Sequence, residues 1–371
     1  MRILFVMGTR PEVIKLAPVI MELRKRPAFE VSVCATGQHN EMARQAMNTF
    51  GITPNYDFEF SHLDNSLVFG MISVLNHLEA VVKERSWDAV MVQGDTTSAL
   101  AGALSAFYHH VPVAHVEAGL RTFDKTQPWP EEVNRRLITQ IADWHFCPTW
   151  GAYWNLTSEL VGAELDRLHG WPTVVGNTVI DALLWVKEKY AQHWEIEPGH
   201  ILVTAHRREN WGRGIANICQ AIKTLAAQHE GLFFVWPLHP NRVIRNMVER
   251  ELGNVRAVLL EEPMSYDVLV RQMMVAQIIL TDSGGIQEEA PTLNTPVLIL
   301  RDKTERPEAV ECGAAKLVGT DPDRIVAEVT RLLTDKEEYD RMANAENPFG
   351  DGHAAERIVD ALEESLGERG E

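Results

Sequence analysis

Short apolar runs rich in β-branched residues recur along the chain, each followed by a stretch of helical spacing, and this alternation leaves few folds open. In the first half the runs are Ile3 to Met7, Val31 to Ala35, Ala89 to Val92, Val113 to Val116 and His145 to Cys147. The second half repeats the pattern at Ile201 to Thr204, Phe233 to Trp236, Ala257 to Leu260, Ile278 to Thr281, Val297 to Leu300 and Lys316 to Val318. A strand that is apolar on both faces has to be covered on both, and helices between successive strands supply that cover. The pattern therefore predicts βαβ units and parallel, doubly wound sheets. With 371 residues there is chain enough for two domains of about 150 to 200 residues, each with its own core. The segment His169-Gly-Trp-Pro172 breaks any helix and precedes a new strand-turn at Val174-Val-Gly-Asn177, which places a hinge there. The expected division is residues 1–170, residues 171–352, and a terminal helix over 353–371 after the break at Asn347-Pro-Phe-Gly-Asp-Gly352, free to pack back on the N-terminal domain.

Charge narrows the ligands. The chain carries 35 basic and 52 acidic residues, a net charge of −17, so it has no basic face to offer a phosphate backbone, and nucleic acid is disfavoured as a partner. A small anion remains admissible, because a few arginines and lysines can reverse the field within a cleft. Cys34, Cys147, Cys219 and Cys312 lie far apart, in neither zinc-ligand nor disulfide spacing, and read as small core residues. No metal is expected. There is no signal-peptide pattern and no apolar stretch of about 18 residues, so the expected location is cytoplasmic, away from membranes.

Every motif with chemical content follows one of the expected strands, on the sheet edge where open parallel sheets bind ligands. Two such domains facing each other would make a cleft. After Ile278 to Leu280 comes Thr281-Asp-Ser-Gly-Gly-Ile-Gln-Glu-Glu-Ala-Pro291. Gly284 and Gly285 remove the Cβ atoms that would hold a ligand off the backbone, Ser283 supplies a hydroxyl, and the next helix aims free N–H groups at an anion. Glu288 and Glu289, one turn on, suit the ribose diol of a nucleotide; a tight turn without ligand is the plainer reading. Gly8-Thr-Arg-Pro-Glu12 puts Arg10 and Lys15 at the start of a helix, and Gln93-Gly-Asp-Thr-Thr97 leaves Asp95 either as a helix cap or as a functional acid. Within His115-Val-Glu-Ala-Gly-Leu-Arg121, Glu117 ends a buried strand, where burial favours the protonated form unless a cation or hydrogen bonds offset it. Pro128-Trp-Pro-Glu-Glu132, with Asn134, Arg135 and Arg136 behind it, offers Glu131 as a second acid or as helix-start charge. His206-Arg-Arg-Glu-Asn210 has the look of a phosphate site, and Trp236-Pro-Leu-His239 and Thr304-Glu-Arg-Pro-Glu308 end neighbouring strands.

Taken together and in this order, Gly8-Thr-Arg-Pro-Glu12, Gly94-Asp-Thr-Thr97, His115-Val-Glu-Ala-Gly-Leu-Arg121, Pro130-Glu-Glu132, Gly176-Asn-Thr178, His206-Arg-Arg-Glu209, Asp282-Ser-Gly-Gly-Ile-Gln-Glu-Glu289 and Thr304-Glu-Arg-Pro307 resemble the non-hydrolysing UDP-N-acetylglucosamine 2-epimerases of bacteria. The resemblance runs from Met1 to about Gly352 and implies a glycosyltransferase-B-like fold, two Rossmann-like domains with the active site between them, assembled as a homodimer. It implies interconversion of UDP-GlcNAc and UDP-ManNAc through a 2-acetamidoglucal, with no cofactor. By motif match, Asp95, Glu117 and Glu131 are the acid and base candidates, and Arg10, Lys15 and His206 attend the diphosphate. Ser283, Gly284 and Gly285 bind phosphate, Glu289 binds the ribose hydroxyls and Arg306 the nucleotide end.

Two departures from the family pattern stand out. Pro263-Met-Ser-Tyr-Asp-Val-Leu269 ends on a leucine where an aromatic commonly lies beside uracil. Of the residues that hold a second, activating UDP-GlcNAc in related enzymes, Gln38, Glu131, Arg207 and His239 are kept. Glu41, however, stands where a neutral glutamine is frequent, and no arginine occurs between Arg44 and Arg85, which predicts weak activation or none. The alternative activity is a retaining glycosyltransferase of the same fold with a UDP-sugar donor, which has no use for Asp95, Glu117 and Glu131 together; a non-catalytic nucleotide-sugar sensor would tolerate their loss.

Overall fold

The computed structural model describes residues 1–38, 40–58, 66–160, 172–190, 194–239 and 241–367. Each expected apolar run forms a strand, and the chain divides into two compact units. Met1–Ala182 and Phe349–Glu371 make up the first unit, Leu183–Pro348 the second.

In the first unit, β1 (Arg2–Met7), β2 (Glu30–Ala35), β3 (Tyr56–Asp57), β4 (Ala89–Gln93), β5 (Val113–Val116), β6 (Trp144–Cys147) and β7 (Thr173–Val174) form a parallel sheet in the order β3-β2-β1-β4-β5-β6-β7. Ile3 to Met7 are wholly buried, as a central strand covered on both faces must be. In the second unit, β8 (His200–Thr204), β9 (Phe233–Pro237), β10 (Val258–Glu261), β11 (Ile278–Thr281), β12 (Val297–Ile299) and β13 (Ala315–Leu317) pair in parallel as β10-β9-β8-β11-β12-β13. The winding reverses between β1 and β4 in one sheet and between β8 and β11 in the other. Loops leaving those strands diverge to opposite faces and open a crevice, so ligand chemistry is expected there.

Of the two edge strands, β3 was not expected, and β7, foreseen as a strand-turn at Val174, was expected to open the second domain. β3 and β7 are two residues each, too short to carry a periodic signal. β7 pairs with β6, Phe146 opposite Thr173, and so completes the first sheet. The unit edge consequently falls after Ala182, later than the 170/171 division read from the sequence, and Phe349 to Gly352 join the first unit as well. Residues 169–171 of the expected hinge lie outside the described residues. The helix Ala354–Gly367 rests on the first unit through Ile358, Val359 and Leu362, all wholly buried. Arg26, two residues past the end of the helix Arg10–Arg24, reaches Asp360 and Glu363 at 2.6 Å each, and Trp144 donates its indole N–H to Ser365 at 3.1 Å.

Candidate active site

In the first unit the loops after β1, β4 and β5 bring the expected residues together. Glu12 is the bracket. Wholly buried, its carboxylate accepts from the backbone N–H groups of Gly8 (2.9 Å) and Thr9 (2.7 Å) and from the Thr96 hydroxyl (2.6 Å), tying the β1 loop to the β4 loop. Burial pushes its carboxyl above the ordinary range, against these bonds. Arg10 begins the helix after β1, and Lys15 lies one turn further, nearly buried. Lys15 pairs with Glu117, the cation that a carboxylate at the end of a buried strand requires; Gln93 donates to the other Glu117 oxygen and Asn177 lies 3.5 Å from the first. Glu117 sits in the left-handed region, φ 64°, a conformation that costs a non-glycine residue on the order of 1 kcal/mol and that surrounding contacts must hold.

Asp95 is half-buried, its carboxylate 2.6 Å from Arg135. Burial pushes it up to about 6; Arg135 and Lys15 oppose the rise, while Glu117 and Glu131 add to it. Those couplings place three carboxylates and one lysine in a single electrostatic neighbourhood. Glu131 opens the helix Glu131–Ile141. Gln38 lies by the same loops: its side-chain oxygen accepts from Ser98 at 2.7 Å, and its Cβ packs against Gly8.

The second unit gathers the phosphate motifs. Ser283 precedes the helix Gly284–Glu289, a six-residue element whose dipole is small, so cations nearby matter more for an anion. Two are at hand: a Cβ on Gly284 would stand 3.5 Å from an Arg207 guanidinium nitrogen and 4.0 Å from one of Arg306. Asp282, wholly buried, accepts from the backbone N–H of His206 (3.0 Å), that of Arg207 (2.9 Å) and the Asn210 amide (2.9 Å), fixing the β8 loop against the β11 turn. His206 and His239 stack with ring centroids 5.6 Å apart, and burial lowers the basicity of His239. Arg207 and His239, read from the sequence as candidates for a second ligand beside the active site, lie next to Gly284 and the His206 ring. Of the two adjacent acids, Glu288 is committed to Arg306, whereas Glu289 accepts from the buried Tyr266 hydroxyl at 2.7 Å and lies close to Gly285. Gly285 has no Cβ to block that side.

Sequence reasoning passed over Glu12, Gln93, Asn134, Arg135, Tyr266 and Asp282. Each stands inside a quoted motif or within a turn of one. Each is a buried or part-buried polar side chain that must find a partner, a demand the sequence alone does not display.

Two doubly wound units, with acids gathered at the switch point of one and a glycine turn flanked by arginines at that of the other, define a glycosyltransferase-B-like α/β protein. A family model described as UDP-N-acetylglucosamine 2-epimerase matches residues 21–363, and the chain belongs to that family. It is 48% identical over 375 residues to the UDP-N-acetylglucosamine 2-epimerase of Escherichia coli K12, covering 98% of each chain. The crystal structure of UDP-GlcNAc 2-epimerase from Neisseria meningitidis bound to UDP-GlcNAc superposes with a TM-score of 0.88 at 43% identity, covering 98% of this chain and 100% of that one. The Methanocaldococcus jannaschii UDP-GlcNAc 2-epimerase in complex with UDP-GlcNAc and UDP gives a TM-score of 0.81 at 33% identity, covering 98% and 99%.

Proposed function

We propose that the chain is a non-hydrolysing isomerase that interconverts UDP-GlcNAc and UDP-ManNAc. The observation that carries this reading is the gathering of Glu117, Glu131 and Lys15 around Asp95 in the first unit. A pyranose C2 proton is not acidic, so its removal has to be coupled to departure of a good leaving group. A carboxylate takes the C2 proton while the C1–O bond breaks; the C–H electron pair becomes the C1=C2 double bond of 2-acetamidoglucal, and UDP leaves with the C–O pair. Re-addition of UDP at C1, with protonation of C2 from the other face, inverts that centre. A carboxylate base on one face and a carboxylic acid on the other serve the removal and return of the C2 proton, and cations stabilise the leaving diphosphate.

In this reading Asp95, Glu117 and Glu131 serve proton transfer, with Arg10, Lys15 and His206 at the diphosphate. Ser283, Gly284 and Gly285 admit a phosphate close to the backbone, where Arg306 adds charge, and Glu289 accepts the ribose hydroxyls. Arg207, Gln38 and His239 are the remaining polar candidates for a second UDP-sugar, and Glu41 argues that such binding is weak. The chain acts as a cytoplasmic homodimer: among the described residues no helix is long and apolar enough to cross a membrane, and Leu67, Val68, Phe69 and Ile72 expose an apolar patch on the helix Leu67–Glu84 that a second copy would cover.

Proton NMR of the purified protein with UDP-GlcNAc in heavy water tests the reaction. UDP-ManNAc signals and loss of the C2 proton signal, without added NAD or metal, are expected. Product that keeps its C2 hydrogen, or turnover only with an added acceptor, would favour the glycosyltransferase instead.

A further inference from the structure

The helix Glu131–Ile141 does more than carry Glu131. One turn in, Asn134 donates its amide to the Asp95 carbonyl oxygen at 2.9 Å, and the next residue, Arg135, reaches the Asp95 carboxylate at 2.6 Å. Consecutive residues of one helix thus hold the main chain and the side chain of the same aspartate. On the preceding peptide, the His115 ring Nε2 bonds the Gly94 carbonyl at 2.8 Å, and the Gly94 N–H donates to the Val116 carbonyl at 3.0 Å. Gly94 has φ 68°, so the chain turns sharply into Asp95 between two fixed points.

Asn134 and Arg135 are 7% and 8% exposed, and a guanidinium at that depth has little room to swing. Glu132 restricts it further. Wholly buried, Glu132 accepts from the backbone N–H groups of Thr122 (3.0 Å) and Phe123 (3.2 Å) and stands 3.7 Å from Arg135.

We propose that Arg135 is a positioning residue that keeps Asp95 ionised among neighbouring acids, while Asn134 holds its main chain in register. The groups facing Asp95 are Arg135 and Glu131 from this helix, Glu117 after β5 and Lys15 from the helix after β1. Burial and the two glutamates favour the protonated form; Arg135 and Lys15 favour the carboxylate. Lys15 is already engaged with Glu117, so Arg135 carries most of the opposition. Loss of its charge leaves a half-buried acid beside two others, an arrangement that favours the protonated carboxyl. The consequence for turnover rests on the epimerase reading, whereas the charge of Asp95 does not.

Carbon-13 NMR of aspartate-labelled protein, with the Asp95 resonance assigned by its disappearance in Asp95→Asn, reads the charge without substrate. In the wild type the carboxyl titrates near the value of about 6 set by its surroundings. Arg135→Gln is expected to raise that midpoint by roughly one to three pH units, and the corresponding limb of kcat against pH should move upward with it, whether Asp95 acts as acid or base. Arg135→Lys, which restores the charge, should return both toward wild type. Arg135→Met keeps the buried aliphatic stem and repeats the test if the glutamine variant fails to fold. An unmoved Asp95 midpoint in either folded variant overturns the proposal even if activity falls. A raised midpoint in a protein whose wild type does not epimerise UDP-GlcNAc would instead overturn the proposed reaction and leave Arg135 its role.

Discussion

Asp282 offers the most demanding test of how the second unit is held together. Its carboxylate, wholly buried, is the acceptor for the His206 and Arg207 backbone N–H groups and for the Asn210 amide, at 2.9 to 3.0 Å. In Asp282→Ala the Asn210 amide retains the Leu300 carbonyl at 3.0 Å, whereas the His206 and Arg207 backbone N–H groups lose the carboxylate that accepts them. Each stranded donor costs about 1 to 3 kcal/mol, so the expected destabilisation is about 4 kcal/mol, a large share of a domain stability of roughly 5 to 15 kcal/mol. Asp282→Asn keeps one acceptor oxygen and loses only the charge assistance, which should cost about 1 to 2 kcal/mol. Urea unfolding followed by the tryptophan emission of the second unit, where Trp236 is wholly buried, measures both. UDP affinity should fall in the same order, because the His206–Arg207 loop loses its anchor. An alanine variant within about 1 kcal/mol of the wild type, or an asparagine variant as unstable as the alanine one, would refute the argument that Asp282 is held there for its capacity to accept.

Two further outcomes follow from the first unit. His115 and His145 face each other across β5 and β6 and are wholly or almost wholly buried; burial pushes them down to about 4 and about 3 from an ordinary 6.5. Above pH 6.5 both are neutral in folded and unfolded chains alike, and below it the unfolded chain takes up protons that the folded one refuses, so stability falls with pH by about 1.4 kcal/mol per unit for each histidine until its folded value is passed. Relative to wild type, His145→Phe should gain stability steadily between pH 6.5 and 4, and parallel curves in urea unfolding would count against the assignment. At Gly119, φ is 89° and an added Cβ would lie 2.1 Å from the Ala152 carbonyl oxygen. Gly119→Ala should therefore force the β5 loop off the helix Trp150–Glu159, lowering stability by about 2 to 4 kcal/mol and displacing Glu117; an unchanged melting temperature would show that the backbone yields more easily than this.

The central strands were legible because continuous β-branched runs can be buried in only a few ways. The edges were less so: Tyr56–Asp57 differs from no loop until its neighbour in the sheet is known, and the strand-turn at Val174 was legible but the sheet it joins was not. The difference in unit boundary follows from assigning that strand to the second domain when it pairs with β6 of the first. The glycine turn was legible from its own residues, since Gly284 and Gly285 after a strand imply a close approach. Asp282, two residues before Gly284 in the same motif, was not, because its partners come from the loop after β8, a strand adjacent in the sheet but some seventy residues earlier in the chain. The same limit applies to Arg135. Its neighbour Glu131 invited attention as an acid, whereas the reason for an arginine there is an aspartate on another loop. Arg207 and His239 were legible as residues of the β8 and β9 loops, but their nearness to Gly284 and to the His206 ring needs the folded sheet.

The helix Ala354–Gly367, resting on the first unit, changes the order in which the chain can be completed. Residues 183–348 form the second unit as one continuous segment, whereas the first needs both Met1–Ala182 and the stretch beyond Phe349. During synthesis the second unit can therefore close while the first still exposes the surface that Ile358, Val359 and Leu362 will bury, and Arg26 waits for Asp360 and Glu363. The portion of the protein made first is the portion finished last, and its unfinished apolar face is what a chaperone would meet.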